Sequence, residues 1–268
     1  MSDKYAVVGH PISHSKSPFI HQAFAKQTQQ DISYVTIEAP LDGFKTTIER
    51  LVSEGYKGCN VTVPFKFEAF KLCQQTTGRA QAAGAVNTLF FRDGEILGDN
   101  TDGAGLVTDI EQNLARKFLF KKVLLMGAGG AAHGVIWQIY NSGAIITIAN
   151  RTMEKAQQMA SQFPNVGTVF ASSYEGLAGK SFDFVINATS SSLSDELPPL
   201  PAGLFNKDAL AYDMMYGKET PFLKFAAVQG AAQLADGLGM LVEQAAEAFT
   251  KWREVRPDTA PVLAQLRS

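Results

Sequence analysis

The sequence predicts an α/β protein with two domains, and three observations support this prediction. Strand-like and helix-like patterns alternate in two separate series, which is typical of mostly parallel sheets covered by helices. A strand pattern in the second series runs directly into the glycine-rich segment Gly127–Ala132 and then into a helix. The length of 268 residues exceeds the ~150 residues of an average domain. We therefore expect an N-terminal α/β domain with a mostly parallel sheet and a Rossmann-type domain, with the active site in the cleft between them.

The first series begins with a predicted strand at 5–8. A helix follows from Ser17 and Pro18, because serine is a favoured helix cap and proline is favoured in the first turn. Asp93 and Gly94 predict a hairpin turn between two later strands. The remaining predicted elements of this series are strand 34–38, helix 44–54, strand 59–63 and helix 65–72.

The second series predicts a parallel sheet, and its first two strands are joined by a helix over 133–142. A further helix is expected near Thr152, a long one over 240–253, and a short one after Pro257. The boundary between the two series falls near Thr101 and Asp102. The predicted strands of the second series are 123–126, 145–149, 167–171, 182–187 and 209–214.

Composition favours a small-molecule partner over a polymer or a membrane. The formal net charge of -2 gives no footprint for nucleic acid or an anionic membrane. No secretory signal and no apolar run near ~18 residues are visible, so a cytoplasmic location is expected. Cys59 and Cys73 fit buried thiols, and Pro11 between His10 and His14 argues against a helical metal pair. No metal is expected.

The glycine-rich segment Gly127–Ala132, GAGGAA, matches the G-x-G-x-x-A form of the dinucleotide fingerprint. Gly127 permits the tight turn, Gly129 lets the backbone approach a pyrophosphate, and Ala132 keeps the helix close to the sheet. The helix N-terminus then faces the phosphates. The complete strand-helix-strand frame disfavours the alternative of a turn without a ligand.

The end of the next strand predicts which dinucleotide binds. An NAD site would carry Asp or Glu there, about twenty residues after the glycines, whereas this chain has Asn150, Arg151 and Thr152. Arg151 can form charge-assisted bonds to a 2′-phosphate and stack on adenine, and Lys155 adds a second cation. These residues predict NADP, against the alternative that Arg151 is only a solvated arginine at a strand end.

Three polar clusters follow strand ends in the first domain, where ligands of open α/β sheets bind. They are residues 13–18, residues 60–66, and residues 84–88 with 99–103. With these clusters the sequence resembles the shikimate dehydrogenase family over nearly its whole length. The motifs that carry the resemblance are, in chain order, SHSKSP, NVTVPFK, GAVNT, DNTDG, GAGGAA, NRT, NATS, DMMYG and GLGMLVEQAAEAF.

The resemblance implies a reversible, NADPH-dependent reduction of 3-dehydroshikimate to shikimate, in the pathway to chorismate and the aromatic amino acids. It implies that the substrate carboxylate is bound by Ser15, Ser17, Thr62 and Tyr216, and the ring hydroxyls by Lys66, Asn87, Asp102 and Gln244. It implies that NADP is bound by Gly127, Ala128, Gly129, Gly130, Ala131, Asn150, Arg151, Thr152, Lys155, Thr189, Met214, Gly237 and Met240.

Within this set Lys66 and Asp102 would be catalytic. Hydride arriving at a ketone creates an alkoxide that needs a proton and a nearby positive charge, and a lysine held by a carboxylate offers both. Gln244 can reach the substrate only if the chain returns to the first domain. The predicted domains are therefore 1–101 plus 238–268 for the substrate and 102–237 for NADP.

Each assignment has a simpler alternative. Lys66 could be an exposed lysine at a helix start, Asp102 a helix N-cap, and Gln244 a surface amide. Ser15 and Ser17 could be only turn and cap residues, and Tyr216 could simply pack. Many relatives carry an acidic residue where this chain has Thr77 and Gly78, so Gly78 receives no role at the nicotinamide.

Two other functions are considered. A quinate/shikimate dehydrogenase of broader specificity would use NAD and replace the arginine pocket with an acidic residue, which the NRT motif disfavours. A non-catalytic NADPH-sensing relative would not need the complete set of Lys66, Asn87 and Asp102. For the assembly, a monomer or a homodimer is expected.

Overall fold

The computed structural model describes residues 2–163, 167–189, 191 and 195–268. The chain forms two compact units, Met1–Gly105 with Leu241–Ser268 and Leu106–Met240. Each unit contains one six-stranded sheet. The predicted α/β class with parallel-rich sheets is confirmed.

The sheet of the first unit has the order β2-β1-β3-β5-β6-β4. Strands β1, β2 and β3 are parallel, β5 runs antiparallel to both β3 and β6, and β4 is parallel to β6. Asp93 and Gly94 form the turn between β5 and β6 with φ of 52° and 80°, as the hairpin prediction requires. The strands are β1 (Asp3–Gly9), β2 (Ile32–Glu38), β3 (Tyr56–Val61), β4 (Gln75–Thr76), β5 (Thr88–Arg92) and β6 (Glu95–Asp99).

Side chains of β1 alternate between two apolar clusters, because successive strand residues point to opposite faces of a sheet. Ala6 and Val8 pack in the cluster that contains Phe44 and Phe65. Tyr5 and Val7 pack with residues of the C-terminal segment, such as Trp252. Both faces of the sheet are therefore buried at β1. The helices of this unit are α1 (Ser17–Thr28), α2 (Phe44–Ser53), α3 (Lys66–Leu72) and α4 (Gly78–Ala83), with α9 (Leu238–Arg253) from Leu241 onward and α10 (Ala260–Arg267).

The sheet of the second unit is fully parallel with the order β12-β11-β10-β7-β8-β9. Counted within the unit, this is the order 3-2-1-4-5-6 of dinucleotide-binding folds. The strand order reverses between β7 and β10, where such folds bind their ligands. Helix α5 (Asp102–Thr108) crosses the boundary, with its residues up to Gly105 in the first unit and the rest in the second. The other elements of the second unit are β7 (Lys122–Met126), α6 (Gly130–Asn141), β8 (Ile145–Ala149), α7 (Met153–Ala160), β9 (Val169–Ser172), β10 (Phe182–Asn187), β11 (Phe205–Asp213), α8 (Pro221–Val228) and β12 (Gln233–Ala235), with a π-helical turn at Asp109–Asn113 and a 3-10 turn at Glu175–Leu177.

Several details differ from the sequence prediction. Ser17 does not cap α1: the cap position is Lys16, and the Ser15 hydroxyl accepts the hydrogen bond from the Ser17 backbone N–H (3.3 Å). The strand predicted to reach residue 63 ends at Val61, and Val63 is exposed. The short elements α4, β4, α8 and β12 were not predicted. Within the described residues, no helix is long and apolar enough to cross a bilayer.

Candidate active site

Lys66 is placed by the buried residue that precedes it. The ring of Phe65 is buried and stacks on Phe44 with centroids 4.8 Å apart, whereas Phe67 is exposed. Because Phe65 anchors the start of α3 in the core, the backbone of Lys66 is fixed. Its ammonium donates a hydrogen bond to Asp102 at 2.5 Å, and 17% of the lysine side chain remains exposed.

Asp102 is the first residue of α5 and is buried. Its backbone N–H donates to the side chain of Asn100 (3.1 Å), and the Asn100 backbone N–H donates to the buried carboxylate of Asp99 (2.8 Å). Asp99 is bound in turn by two guanidinium nitrogens of Arg79, at 2.7 and 2.6 Å. Burial opposes ionisation of Asp99, but the bonds and charge of Arg79 leave its pKa below the usual value. An ion pair between partly buried Arg79 and buried Asp99 thus anchors the segment that presents Asp102.

Asn87 and Gln244 complete the polar cluster around Asp102. The amide nitrogen of Asn87 donates to Asp102 Oδ1 (2.7 Å), to the Thr101 hydroxyl (3.0 Å) and to Gln244 Oε1 (3.3 Å). The Thr101 hydroxyl also lies 3.3 Å from Gln244 Oε1. The structure therefore places four predicted substrate residues in one hydrogen-bonded cluster, Lys66, Asn87, Asp102 and Gln244.

In this cluster the Lys66 ammonium bonds to one oxygen of the Asp102 carboxylate, and the other oxygen already accepts a hydrogen bond. Asp102 Oδ1 is bound by the Asn87 amide, so Oδ2 is directed at Lys66. An ammonium held in this way combines a proton with a fixed positive charge, which are the two needs of a developing alkoxide.

The predicted carboxylate ligands of the first unit lie at the ends of β1 and β3. Ser15 precedes α1 and is partly buried, and Ser17 is buried. The Thr62 backbone N–H donates to the Val8 carbonyl (2.9 Å). A Cβ at Gly9 would lie 2.5 Å from Thr62 Cγ2, so this close approach requires a glycine.

In the second unit, the glycine-rich segment lies at the point where the strand order reverses. Gly127 has a φ of 105°, which glycine alone adopts readily, and a Cβ there would lie 3.0 Å from the Ala188 carbonyl oxygen. Gly129 has open space at its missing side chain, and α6 begins at the next residue, Gly130. Ala132 is fully buried. Ala128 and Ala131 are partly buried and pack against the same core.

The residues after β8 form an exposed polar loop. The Asn150 amide donates to the Thr152 carbonyl (2.9 Å). Arg151, Thr152 and Lys155 are exposed, and Arg151 forms no ion pair with a described residue. No carboxylate stands at the strand end. Residues 150–155, from this loop and the first turn of α7, therefore offer two cations and several donors to an anion.

The other predicted residues of the second unit lie near the ends of β10, β11 and β12. The Thr189 hydroxyl donates to Asn187 (2.7 Å), and the Met214 N–H donates to the Asn187 carbonyl (3.0 Å). A Cβ at Gly237 would lie 2.1 Å from the Met214 carbonyl oxygen. Met240 is buried in the core of this unit.

Tyr216 also lies in the second unit, unlike the other seven predicted substrate residues. It is partly buried in the turn after β11, and burial raises its pKa.

Several supporting residues were missed by sequence reasoning. Thr88, Thr101 and Asn60 are buried and bond to the cluster, and Asp213 is buried and accepts from the Asn187 amide at 3.1 Å. The signal for these residues is their position inside the same short motifs, NVT, GAVNT, DNTDG and DMMYG, as the predicted ligands.

The fold and these polar sites define a class: α/β proteins that combine a dinucleotide-binding unit with a second sheet that carries a lysine-aspartate pair. Three family descriptions match the sequence: "Shikimate dehydrogenase substrate binding domain" over residues 7–89, "Shikimate / quinate 5-dehydrogenase" over 109–194, and "Shikimate 5'-dehydrogenase C-terminal domain" over 237–267. The chain belongs to the shikimate dehydrogenase family.

Individual relatives agree with this membership. The chain is 59% identical to the shikimate dehydrogenase (NADP(+)) of Methylobacillus flagellatus, with 99% of each chain covered. A crystal structure of an Ael1 enzyme from Pseudomonas putida is similar with a TM-score of 0.93 and 50% identity, over 99% of this chain and 98% of that one. The Thermus thermophilus shikimate 5-dehydrogenase in complex with NADP(H) and shikimate is similar with a TM-score of 0.87 and 29% identity, over 99% and 98% of the chains.

Proposed function

We propose that this protein catalyses the reversible, NADPH-dependent reduction of 3-dehydroshikimate to shikimate. The observation that carries the proposal is the bonded cluster of Lys66, Asp102, Asn87 and Gln244 in the first unit. A protein that only senses NADPH has no need of a lysine-carboxylate pair. Membership of the shikimate dehydrogenase family supports the same activity.

The second unit fits NADP. The open space at Gly129 and the N-terminus of α6 suit a pyrophosphate, and exposed Arg151 with Lys155 suits a 2′-phosphate. When bound, NADPH supplies the hydride that the reduction needs. We propose that Gly127–Ala131, Asn150–Thr152 and Lys155 bind it, together with Thr189, Met214, Gly237 and Met240.

The first unit is proposed to bind and orient the substrate. Ser15, Ser17 and Thr62 can donate hydroxyl hydrogen bonds to a carboxylate, and we assign Tyr216 the same role. Asn87 and Gln244 present amide groups that can bond to ring hydroxyls. Because the polar groups are fixed by one another, little reorganisation is needed when charge develops.

Lys66 is proposed to act on the reacting carbonyl oxygen. Its Nζ has one bond to Asp102 and can direct another N–H at the substrate oxygen as that oxygen gains negative charge. In the reduction, a proton reaches this oxygen from Lys66; in the reverse reaction Lys66 takes it back. Asp102 keeps the ammonium oriented during both.

The direct test is NADPH oxidation with a panel of ketones, followed by the absorbance of the reduced nicotinamide. The expected result is oxidation with 3-dehydroshikimate, a weaker signal with 3-dehydroquinate, and a marked preference for NADPH over NADH. Equal turnover of both substrates would favour the quinate/shikimate alternative. Tight NADPH binding without oxidation of any ketone would favour a sensor and refute the proposal.

We further propose that the reaction needs no metal ion, because the Lys66 ammonium supplies the positive charge. Activity should then be unchanged after dialysis against a chelator. Loss of activity that returns with an added divalent cation would contradict this.

A further inference from the structure

Thr88 is a buried polar residue beside the proposed catalytic cluster. It is the first residue of β5, has no exposed surface, and is not among the residues assigned to substrate or cofactor. Its hydroxyl lies 2.9 Å from Asn87 Oδ1 and 3.1 Å from Asn60 Nδ2. Thr88 therefore joins two buried amides.

The direction of each bond follows from the chemistry of its partners. An amide nitrogen can only donate, so the Thr88 hydroxyl accepts from Asn60 and has its own proton to give to Asn87. The Asn60 amide is itself oriented, because its oxygen accepts from the Tyr34 phenol at 2.7 Å. Burial raises the pKa of Tyr34 well above its usual value, which keeps the phenol a donor.

The Asn87 amide is fixed from its oxygen side. Asn87 Oδ1 accepts from the Thr88 hydroxyl and from the Thr101 backbone N–H (2.8 Å), and a backbone N–H can only donate. The amide nitrogen must then face Asp102 Oδ1 at 2.7 Å. A flipped amide would place its oxygen against the Asp102 carboxylate. It would also place its N–H group against the Thr88 hydroxyl and the Thr101 backbone N–H, which both donate.

We propose that Thr88 is a positioning residue for the reaction. Its donated hydrogen bond locks the Asn87 amide with the N–H group toward Asp102, and this leaves the other carboxylate oxygen of Asp102 directed at Lys66. The inference rests on the proposed function, because its main readout is dehydrogenase activity.

The test compares Thr88→Val, which keeps the side-chain shape without the hydroxyl, with Thr88→Ser, which keeps the hydroxyl. In Thr88→Val the kcat for 3-dehydroshikimate reduction should fall about 10- to 100-fold, because small misplacements at a reacting centre have effects of this size. The Kd for NADPH should not change. Thr88→Ser should restore kcat to within about threefold of the wild type, which a hydroxyl-independent packing role would not require.

The pH profile gives a second readout. A carboxylate that loses a donated hydrogen bond is easier to protonate, so the acidic limb of the kcat profile should move to higher pH in Thr88→Val and not in Thr88→Ser. Thr47 offers a matched control: it is buried in the same unit, and its hydroxyl donates to the Gly43 carbonyl at 2.9 Å. Thr47→Val should leave kcat and the pH profile unchanged.

A kcat within about threefold of the wild type, with an unshifted profile in folded Thr88→Val, would overturn the proposal. If Thr88→Val does not fold, Tyr34→Phe decides. It removes the phenol that donates to Asn60 while keeping the ring stacked on His21 (4.2 Å). The kcat should then fall about fivefold, the size of one lost hydrogen bond. An unchanged kcat would refute the proposed positioning of Asn87 through Thr88.

Failure of the proposed function is distinguishable from failure of this inference. If the wild type reduces no ketone, the orientation of Asn87 is judged by NMR from hydrogen exchange of its side-chain amide. Slow exchange in the wild type that becomes fast in Thr88→Val supports the locked amide. Fast exchange in the wild type, or equal exchange in both, contradicts it.

Discussion

The two proposed binding regions are built in opposite ways. In the first unit, Lys66, Asn87, Asp102 and Gln244 come from distant parts of the sequence and bond to one another through buried groups. In the second unit, the residues after β7 and those after β8 form two short segments, each continuous in sequence, and Arg151 is exposed. The comparison shows that one region depends on tertiary packing for its geometry, whereas the other is specified by local backbone conformation.

The largest effect is expected from breaking the packed cluster at Lys66. If its ammonium acts on charge that develops during the reaction, Lys66→Met should lower kcat about 10²- to 10⁴-fold and change KM far less. Steady-state kinetics measure both constants. Lys71→Met is the matched control, because Lys71 is an exposed lysine of the same helix, α3.

Coupling within the cluster sharpens this prediction. Asp102→Asn should also lower kcat, and the double variant should lose less than the product of the single losses, because the two residues act as a unit. A kcat for Lys66→Met within about threefold of the wild type would end the catalytic assignment.

A smaller effect is expected at the exposed end of the cofactor region. Arg151→Ala should weaken NADP binding by about 1 to 3 kcal/mol and NAD binding much less, since the lost bonds are to the 2′-phosphate. Titration calorimetry with both cofactors checks this. Lys180→Ala removes another exposed cation of the same unit and should leave both affinities unchanged. Equal weakening of both cofactors by Arg151→Ala would contradict NADP selection.

Gly129 tests whether the backbone of the cofactor region is shaped for a ligand. A Cβ at Gly129 meets no protein atom within 4 Å, so Gly129→Ala should leave thermal stability unchanged. It should weaken NADP on the order of tenfold, because the methyl group occupies the approach to the pyrophosphate. Gly127→Ala is the contrasting variant, since φ there is 105° and destabilisation of the fold is expected. An unchanged NADP affinity in Gly129→Ala would argue against a pyrophosphate at this turn.

The smallest effect is expected when the pH is lowered, and it is a loss of folding stability caused by buried His21 of the first unit. Burial lowers the pKa of His21 from 6.5 to about 3. Below pH 6.5 the unfolded chain therefore takes up a proton that the folded chain refuses, and stability falls as the pH falls. The contribution between pH 6.5 and 5.5 is about 1 kcal/mol.

Urea unfolding at these two pH values measures that loss. His21→Leu should reduce the difference by about 1 kcal/mol, whereas His14→Gln, at an exposed histidine, should not. An equal loss of stability in His21→Leu and in the wild type would show that His21 does not contribute.

Much of the fold could be predicted because its signals are local. The hairpin turn at Asp93 and Gly94 and the five longer strands of the second unit follow from turn chemistry and hydrophobic patterns. The short elements α4, β4 and β12 could not be predicted, because two to six residues show no periodicity. The cap of α1 shifted by one residue because the Ser15 hydroxyl, rather than that of Ser17, meets the free N–H.

The candidate sites also differ in how far they could be predicted, because some residues have local sequence signals and others meet only in the folded chain. The glycine turn and Arg151 could be recognised from spacing after a strand. The proximity of Gln244 to Asn87 could not, because 157 residues separate them, and it was expected only from the family resemblance. Thr88 could not be singled out from the sequence, because a buried threonine at the start of a strand is common. Its proposed role depends on its hydrogen bonds to two side-chain amides.

The return of the chain to the first unit has a consequence for synthesis on the ribosome. Residues Leu106–Met240 form a contiguous unit that is complete once Met240 has emerged, whereas the first unit also needs Leu241–Ser268. Until then Ile20 and Phe24 lack Phe249, and Tyr5 lacks Trp252. Residues 2–105 are thus synthesised before the second unit, but their apolar partners in the C-terminal segment follow that unit in the sequence.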